Sequence, residues 1–274
     1  MKKKTIIGLF LVLIGLSYFG YAFKISFQEE EILYHPKKVF SHAPEQYALK
    51  AQDVFFEAPD HLRLHGWFFE SKKTQKTLLF FHGNGGNVAS NLELISIFVQ
   101  KVHLNVFVID YRGFGKSEGH PSETGLYQDA EAAYEYLTQV RKMDKDNIII
   151  FGQSLGGAIA IDLASKRPAS VLIVENTFTS AVAMAKVFYP YLPVRLFIKS
   201  KFDSLEKMKS IAMPKLIIHA TEDETVPFQL GKKLFEVAAT PKEFYAVLGA
   251  HHGNNYATGG PSYVEKLKKF TKVF

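Results

Sequence analysis

Residues 152–157 read Gly-Gln-Ser-Leu-Gly-Gly, residue types and spacing that suit a serine hydroxyl presented on a tight turn. Ile148–Phe151 before them is a short apolar run of strand character, and Ala158–Ser165 after them has the apolar face of a helix. Gly-x-Ser-x-Gly in that setting predicts a nucleophile elbow with Ser154 in a strained conformation and its hydroxyl projecting from the end of the strand. Side chains at Gly152 and Gly156 would collide with the neighbouring strand or helix, and Gly157 lets the helix pack closely. The five-letter pattern alone is weak, so the strand before it and the helix after it carry its weight.

A serine hydroxyl is a poor nucleophile until a base takes its proton, and an imidazole base needs a carboxylate to fix its tautomer. The expected chain order is serine, acid, histidine. The stretch "LIIHATEDETVP" places Glu222, Asp223 and Glu224 after a strand, and Asp223 is the predicted acid, with turn capping as its structural reading. Glu175 also ends a strand and stands as a rival that could reach the same histidine, or could stabilise the loop that follows it. "AVLGAHHGNN" offers two adjacent histidines, of which one can face the serine. The Gly-Ala-x-His spacing selects His252, with His251 as the alternate. Acyl transfer also generates an oxyanion, which needs backbone N–H groups aimed at it. The amide of Leu155, at a helix N-terminus, supplies one, and Asn84 in the turn "HGNGGN" supplies the second.

The elements that must position these groups alternate regularly. "DVFFEAPDHLRLHGWFFE" reads as a β-hairpin around Pro59-Asp60. Strands are expected at "TLLFF", "NVFVID", "IIIFGQ", "VLIVEN", "KLIIHA" and "KEFYAVLG", with helices between them and at the C-terminus. Such alternation implies right-handed crossovers and a mostly parallel sheet covered on both faces, with ligands at the carboxyl ends of the strands. Those ends carry His82-Gly83-Asn84, Asp110-Tyr111-Arg112, Gln153-Ser154, Glu175-Asn176, Glu222-Asp223 and His251-His252. A Pro- and aromatic-rich excursion interrupts the pattern over about 178–208.

Several other chemistries are disfavoured. "DYRGFGKS" contains Gly-Lys-Ser, but Asp110 stands where a Walker A loop needs its first glycine, and "HGNGGN" fits no dinucleotide fingerprint. No cofactor is expected. His61 and His65 share a strand face at i and i+4, but without a third ligand nearby a solvated strand face is the expectation and a metal is not. The net charge of +6 is concentrated at the N-terminus: residues 1–24 hold four of the 33 basic side chains and no acid, leaving 29 basic against 27 acidic residues. That near-neutral remainder argues against nucleic acid.

Lys2–Lys4 precede an uncharged stretch, Thr5–Phe23, whose 19 residues nearly match a hydrocarbon core of about 30 Å at 1.5 Å per residue. Residues 1–24 are therefore expected to be a membrane anchor, with the lysines cytoplasmic, Tyr18, Phe19, Tyr21 and Phe23 at the outer interface and the catalytic body exported. A signal peptide cleaved near Gly20 and Ala22 is the alternative. Residues 25–50 read as a juxtamembrane connector and 51–274 as the catalytic domain. The absence of cysteine suits an exported domain without deciding the matter.

Taken together, "HGNGGN", "DYRGFGKSEG", "GLYQDAEAAYEYL", "GQSLGGAIAIDLAS", "VENTFTS" and "DETVP" resemble the α/β-hydrolase superfamily. More narrowly they resemble its bud-emergence-type membrane-anchored hydrolases and its depalmitoylating hydrolases. The likeness runs over about 28–272. It implies an α/β-hydrolase fold, a serine hydrolase with Ser154, Asp223 and His252 in the triad positions, and in some members a single N-terminal anchor. The last motif departs from the usual G-x-G-H-N-D, reading "GAHHGN", so both histidines stay in play. The expected activity is acyl hydrolysis of an ester or thioester, with a small-molecule or lipid-like substrate. The excursion occupies the place of a lid whose apolar residues could line an acyl pocket or form plain helix core. A serine peptidase and a non-catalytic interaction protein on the same fold are the alternatives.

Overall fold

The computed structural model describes residues 2–273, without the side chains of residues 2–5, 8, 11, 12, 14–16, 19 and 273. In chain order its helices are α1 (Lys2–Phe27), α2 (Glu29–Leu33), α3 (Leu92–Ser96), α4 (Glu123–Glu135), α5 (Leu155–Lys166), α6 (Ala181–Phe188), α7 (Ser204–Ser210), α8 (Phe228–Val237) and α9 (Asn255–Val273). The strands are β1 (His35–Pro36), β2 (Ala51–Glu57), β3 (Arg63–Phe69), β4 (Thr77–Phe81), β5 (Gly85–Gly86), β6 (Asn105–Asp110), β7 (Ile148–Gln153), β8 (Val171–Glu175), β9 (Lys215–Ala220) and β10 (Lys242–Val247).

Eight strands form one sheet in the order β10-β9-β8-β7-β4-β6-β3-β2. The pairings from β10 to β6 are parallel, and β3 runs antiparallel to both β6 and β2. Every residue of β4, β6, β8 and β9 is buried, which is why these strands read as continuous apolar runs. Successive side chains still point to opposite faces. Leu79, Phe81 and Ile150 face the layer holding α5, whereas Leu78, Phe80, Ile149 and Phe151 face the layer holding Phe98, Tyr263 and Phe270. This two-sided core is the mostly parallel, doubly covered sheet expected from the alternation of elements, and it agrees with the α/β-hydrolase fold that the resemblance implies.

Local sequence explains the element ends. Ser122 caps α4 by accepting the amide hydrogen of Gly125 at 3.2 Å. The hairpin of β2 and β3 turns at Pro59-Asp60, and His61 takes a left-handed φ of 64° there. His61 lies in that turn, exposed. His65 corrects the expectation of a solvated face: it is wholly buried, with Nδ1 2.7 Å from Asp110 Oδ2 and Nε2 2.7 Å from Asp53 Oδ1.

The expected anchor falls on α1, a continuous helix that includes side chains outside the described set. Among the described residues no helix is long and apolar enough to cross a membrane. Residues 25–50 pack on the body: Ile25, Glu29, Tyr34 and Leu49 are buried, and β1 pairs in parallel with β5 in the glycine-rich turn. The excursion contains α6, a single 3₁₀ turn at Val194–Leu196 and the start of α7.

Candidate active site

Ser154 sits between the end of β7 and the start of α5 with φ 53° and ψ −120°, a conformation that a residue with a Cβ adopts only under constraint. The constraint comes from both sides of the turn. Its amide donates to the carbonyl of Glu175 at 2.9 Å, and its carbonyl accepts from Gly157 N at 2.9 Å and Thr177 Oγ1 at 2.7 Å. Gly156 has no room for a side chain, because a Cβ would lie 2.0 Å from the carbonyl oxygen of Phe81. At Gly152 a Cβ would meet the Gly156 carbonyl oxygen at 2.1 Å. The sheet and helix therefore touch backbone to backbone where the serine is displayed.

The three residues far apart in sequence meet at this point. The Ser154 hydroxyl lies 3.0 Å from Nε2 of His252, and Nδ1 of His252 lies 2.8 Å from Oδ2 and 3.0 Å from Oδ1 of Asp223. The tautomer that satisfies both contacts carries its proton on Nδ1, which donates to Asp223, and leaves Nε2 to accept from the serine. Asp223 is itself held: Oδ1 accepts the amides of Thr225 at 2.9 Å and Val226 at 2.7 Å, and its side chain is fully buried. The capping role and the partnership with histidine thus coexist in one carboxylate. His219 stands 3.6 Å from Asp223 Oδ2 but donates to the carbonyl of Val226 at 2.9 Å; burial keeps its imidazole below the ordinary histidine range.

The rivals are placed elsewhere. His251 is exposed, with Nδ1 3.3 Å from Glu224 Oε2. Glu175 is buried and bonded to β7 and α9, accepting from Tyr263 Oη at 2.6 Å and Gln153 Nε2 at 2.9 Å. Burial outweighs these bonds and raises its carboxyl above the usual range.

Asn176 carries no chemistry in the sequence reading, yet it joins three elements. It follows β8 in a left-handed conformation, φ 47°, accepts the amide of Ala220 on Oδ1 at 2.8 Å and donates from Nδ2 to the His252 carbonyl at 2.5 Å. The available signal was its residue type, since asparagine tolerates this φ better than most.

The glycine-rich turn after β4 lies against the serine: a Cβ on Gly83 would stand 3.7 Å from Ser154 Cβ. The turn is tied to the chain N-terminal to the domain, with the Asn84 carbonyl accepting from His35 N at 2.8 Å and Asn84 Nδ2 donating to the Leu33 carbonyl at 3.1 Å. Asp110 fixes its far side, accepting Val88 N at 2.9 Å while its other oxygen holds His65. His82, just before the turn, is buried beside Tyr111 at a ring separation of 4.5 Å; burial lowers its pKa, which suits a neutral packing residue.

Two cavities open on Ser154. One, of about 470 Å³, is apolar and lies between α1–α2 and the excursion, with Ile25, Leu33, Met184, Phe188 and Ile198 among its walls. The other, of about 510 Å³, is polar and includes His42, Asn91, Glu93, Gln153 and Tyr256. Ser154 is where the two meet.

This fold with this site defines a class. The chain belongs to the α/β-hydrolase family, and a profile of the alpha/beta hydrolase fold matches residues 76–185. It is 33% identical over 285 residues to alpha/beta hydrolase domain-containing protein WAV2 of Arabidopsis thaliana, covering 95% of this chain and 92% of that one. Protein bem46 of Schizosaccharomyces pombe is 35% identical over 73% of this chain and 70% of its own, and human alpha/beta hydrolase domain-containing protein 17B is 34% identical over 73% and 67%. The narrower likeness expected from the motifs is therefore found. Among solved structures, an esterase of Pyrococcus furiosus superposes with a TM-score of 0.72 at 21% identity, covering 88% of this chain and 99% of that one, which speaks for the fold.

Proposed function

We propose that this α/β hydrolase cleaves carboxylic esters or thioesters through an acyl-enzyme on Ser154. The observation that carries the reading is the continuous contact from Ser154 Oγ through His252 to buried Asp223. Ser154 attacks the carbonyl carbon as His252 Nε2 takes its proton, and Asp223 holds the Nδ1–H and balances the imidazolium. The amides of Leu155, at the start of α5, and of Asn84 receive the oxyanion. Collapse expels the alcohol or thiol, which takes the proton back from His252. Water, deprotonated by the same nitrogen, then releases the carboxylic acid and restores the serine.

The two cavities support an acyl substrate with unlike ends: the acyl chain in the apolar cavity, the leaving group in the polar one. Lys2–Lys4 and the exposed Ile6, Ile7, Leu9 and Phe10 of α1 support attachment to a membrane through the N-terminus, with the body on the outer side.

The test is active-site labelling followed by turnover. A fluorophosphonate should mark Ser154 in the native chain and leave Ser154→Ala unmarked. Hydrolysis of p-nitrophenyl butyrate should fall by at least about 10³-fold in His252→Ala, within the range seen when a triad member is removed, and by less than about three-fold in His251→Ala. Labelling that survives Ser154→Ala, or the reverse order of the two histidine variants, sinks the assignment.

A further inference from the structure

Glu29 is only 4% exposed, and a carboxylate is rarely buried without a cationic partner. Its partners are instead two consecutive backbone amides of the excursion: Oε2 accepts from Lys199 N at 2.8 Å and Oε1 from Ser200 N at 2.7 Å. The next two amides, Lys201 and Phe202, donate to the two oxygens of Glu123 in α4 at 2.6 and 2.7 Å. Four successive N–H groups are thus held by two carboxylates, one from the N-terminal segment and one from the body. The strap they form is itself joined to the lid, because the Lys201 carbonyl accepts the amide of Ala181, the first residue of α6.

The same N-terminal segment lines the apolar cavity. Ile32 and Leu33 lie three and four residues after Glu29 in α2 and so share its face, and Ile25, near the end of α1, lines the same cavity. Facing them are Met184, Ala185 and Phe188 of α6, with Ile198 next to the latched amides, and Ser154 and Leu155 close one end. The wall opposite α6 has no covalent reason to stay there. Further contacts join it to the excursion: the Tyr18 hydroxyl donates to the Tyr191 carbonyl and the Lys199 ammonium lies 5.6 Å from the centre of the Phe27 ring, both at exposed positions, and the buried Tyr34 side chain meets that of Ser200. Glu29 supplies the buried, charge-assisted tie, a kind of hydrogen bond roughly twice as strong as a neutral one.

Building on the acyl-hydrolase reading above, we propose that Glu29 is a latch that closes the N-terminal segment over the acyl chain and so sets the chain length this enzyme selects. If a methylene takes about the room of a water, about 30 Å³, the cavity of about 470 Å³ accepts on the order of ten carbons with space unfilled. Glu29 is a positioning residue in this scheme: it touches neither the carbonyl nor the leaving group, and acts by keeping Ile25, Ile32 and Leu33 against the chain. A two-carbon acyl group does not reach that wall, whereas a ten-carbon group lies along it.

The experiment uses the full chain and p-nitrophenyl esters from acetate to palmitate, with kcat and KM measured separately. Wild type should show a maximum in kcat/KM at medium chain length. Glu29→Ala should lower the decanoate-to-acetate ratio of kcat/KM about ten-fold or more, mainly through KM, since one methylene in a hydrophobic pocket is worth about ten- to two-hundred-fold. Glu29→Gln, which keeps one acceptor oxygen, should fall between them. Ile32→Trp, which fills the cavity without touching the latch, should lower the same ratio. A purely structural role for Glu29 lowers both esters in proportion and leaves the ratio unmoved, which overturns the latch. A wild-type enzyme that hydrolyses every chain length alike overturns it too, with the acyl-hydrolase reading intact. If wild type turns over no ester or thioester at all, that underlying reading has failed.

Discussion

Asn176 shows how much of the site depends on a residue without chemistry of its own. Alanine at this position would lose the acceptor for Ala220 N and the donor to the His252 carbonyl, and would have to keep a φ of 47°. A buried amide left without a partner costs about 1–3 kcal/mol. We expect Asn176→Ala to lower the denaturation midpoint and, by freeing the His252 loop, to reduce kcat about ten-fold with little change in KM. Normal kcat in a destabilised protein would remove Asn176 from the positioning of His252. Ser154, Asp223 and His252 were singled out from the sequence because each lies in a short motif after a strand, and the structure brings the three side chains together. The choice between the two histidines rested on the spacing from Gly249, and in the structure His252 contacts Ser154 while His251 is exposed beside Glu224. His65 was misread because its partners come from elsewhere in the chain: Asp53 from the neighbouring strand and Asp110 from β6. Periodicity reports which face a side chain is on, and says nothing of who waits there.

At the scale of elements, the elbow exists because β7 and α5 approach β4 more closely than side chains allow. The glycines near Ser154 should consequently differ in their tolerance of a methyl group. Gly156→Ala drives a Cβ to 2.0 Å from the backbone oxygen of Phe81, where no rotamer change can relieve it. Gly253→Ala places its methyl in open space, with nothing within 4 Å. Urea unfolding should show a loss of about 3 kcal/mol or more for the first, at or beyond the upper end of overpacking costs, and a change within about 0.5 kcal/mol for the second. Comparable losses for the two would mean that close approach is not what the first glycine provides. The same physics made the central elements readable, since buried parallel strands must be apolar throughout and the turns between them must be polar or glycine-rich. The two-residue pairing of β1 with β5 left no such trace, because its strands are too short to show a period. Nor did the π-helical ends at Ile97–Val102 and Tyr136–Val140, which continue an ordinary helical pattern.

On the scale of the whole molecule, the two proposals give the N-terminal segment two jobs, membrane attachment and closure of the acyl cavity. Its composition announced an apolar helix with lysines at one end, and hid that the end of α1 at Ile25 and the start of α2 at Glu29 turn inward to complete a cavity. An apolar helix face looks alike whether lipid or protein covers it. The buried face is already present at Ala22 and continues through Ile25 and Glu29, while Tyr21, Phe23 and Phe27 between them are exposed. A chain starting at Lys24 keeps the latch and its flanking isoleucines, and one starting at His35 loses both. We therefore expect residues 24–274 to retain the wild-type ratio of decanoate to acetate hydrolysis and to be released from membranes by alkaline washing, whereas the full chain stays with the membrane pellet. Residues 35–274 should lose the chain-length preference, because Ile198 and the amides of Lys199 and Ser200 would face a missing wall. Retention of the 24–274 chain in the washed pellet would place the attachment elsewhere, with the exposed Phe188, Tyr191 and Leu196 of the excursion as the next surface to test. Loss of the chain-length preference already at Lys24 would instead assign the wall to residues upstream, through the Tyr18 contact with Tyr191. Both outcomes follow from which stretch of α1 and α2 builds the cavity wall.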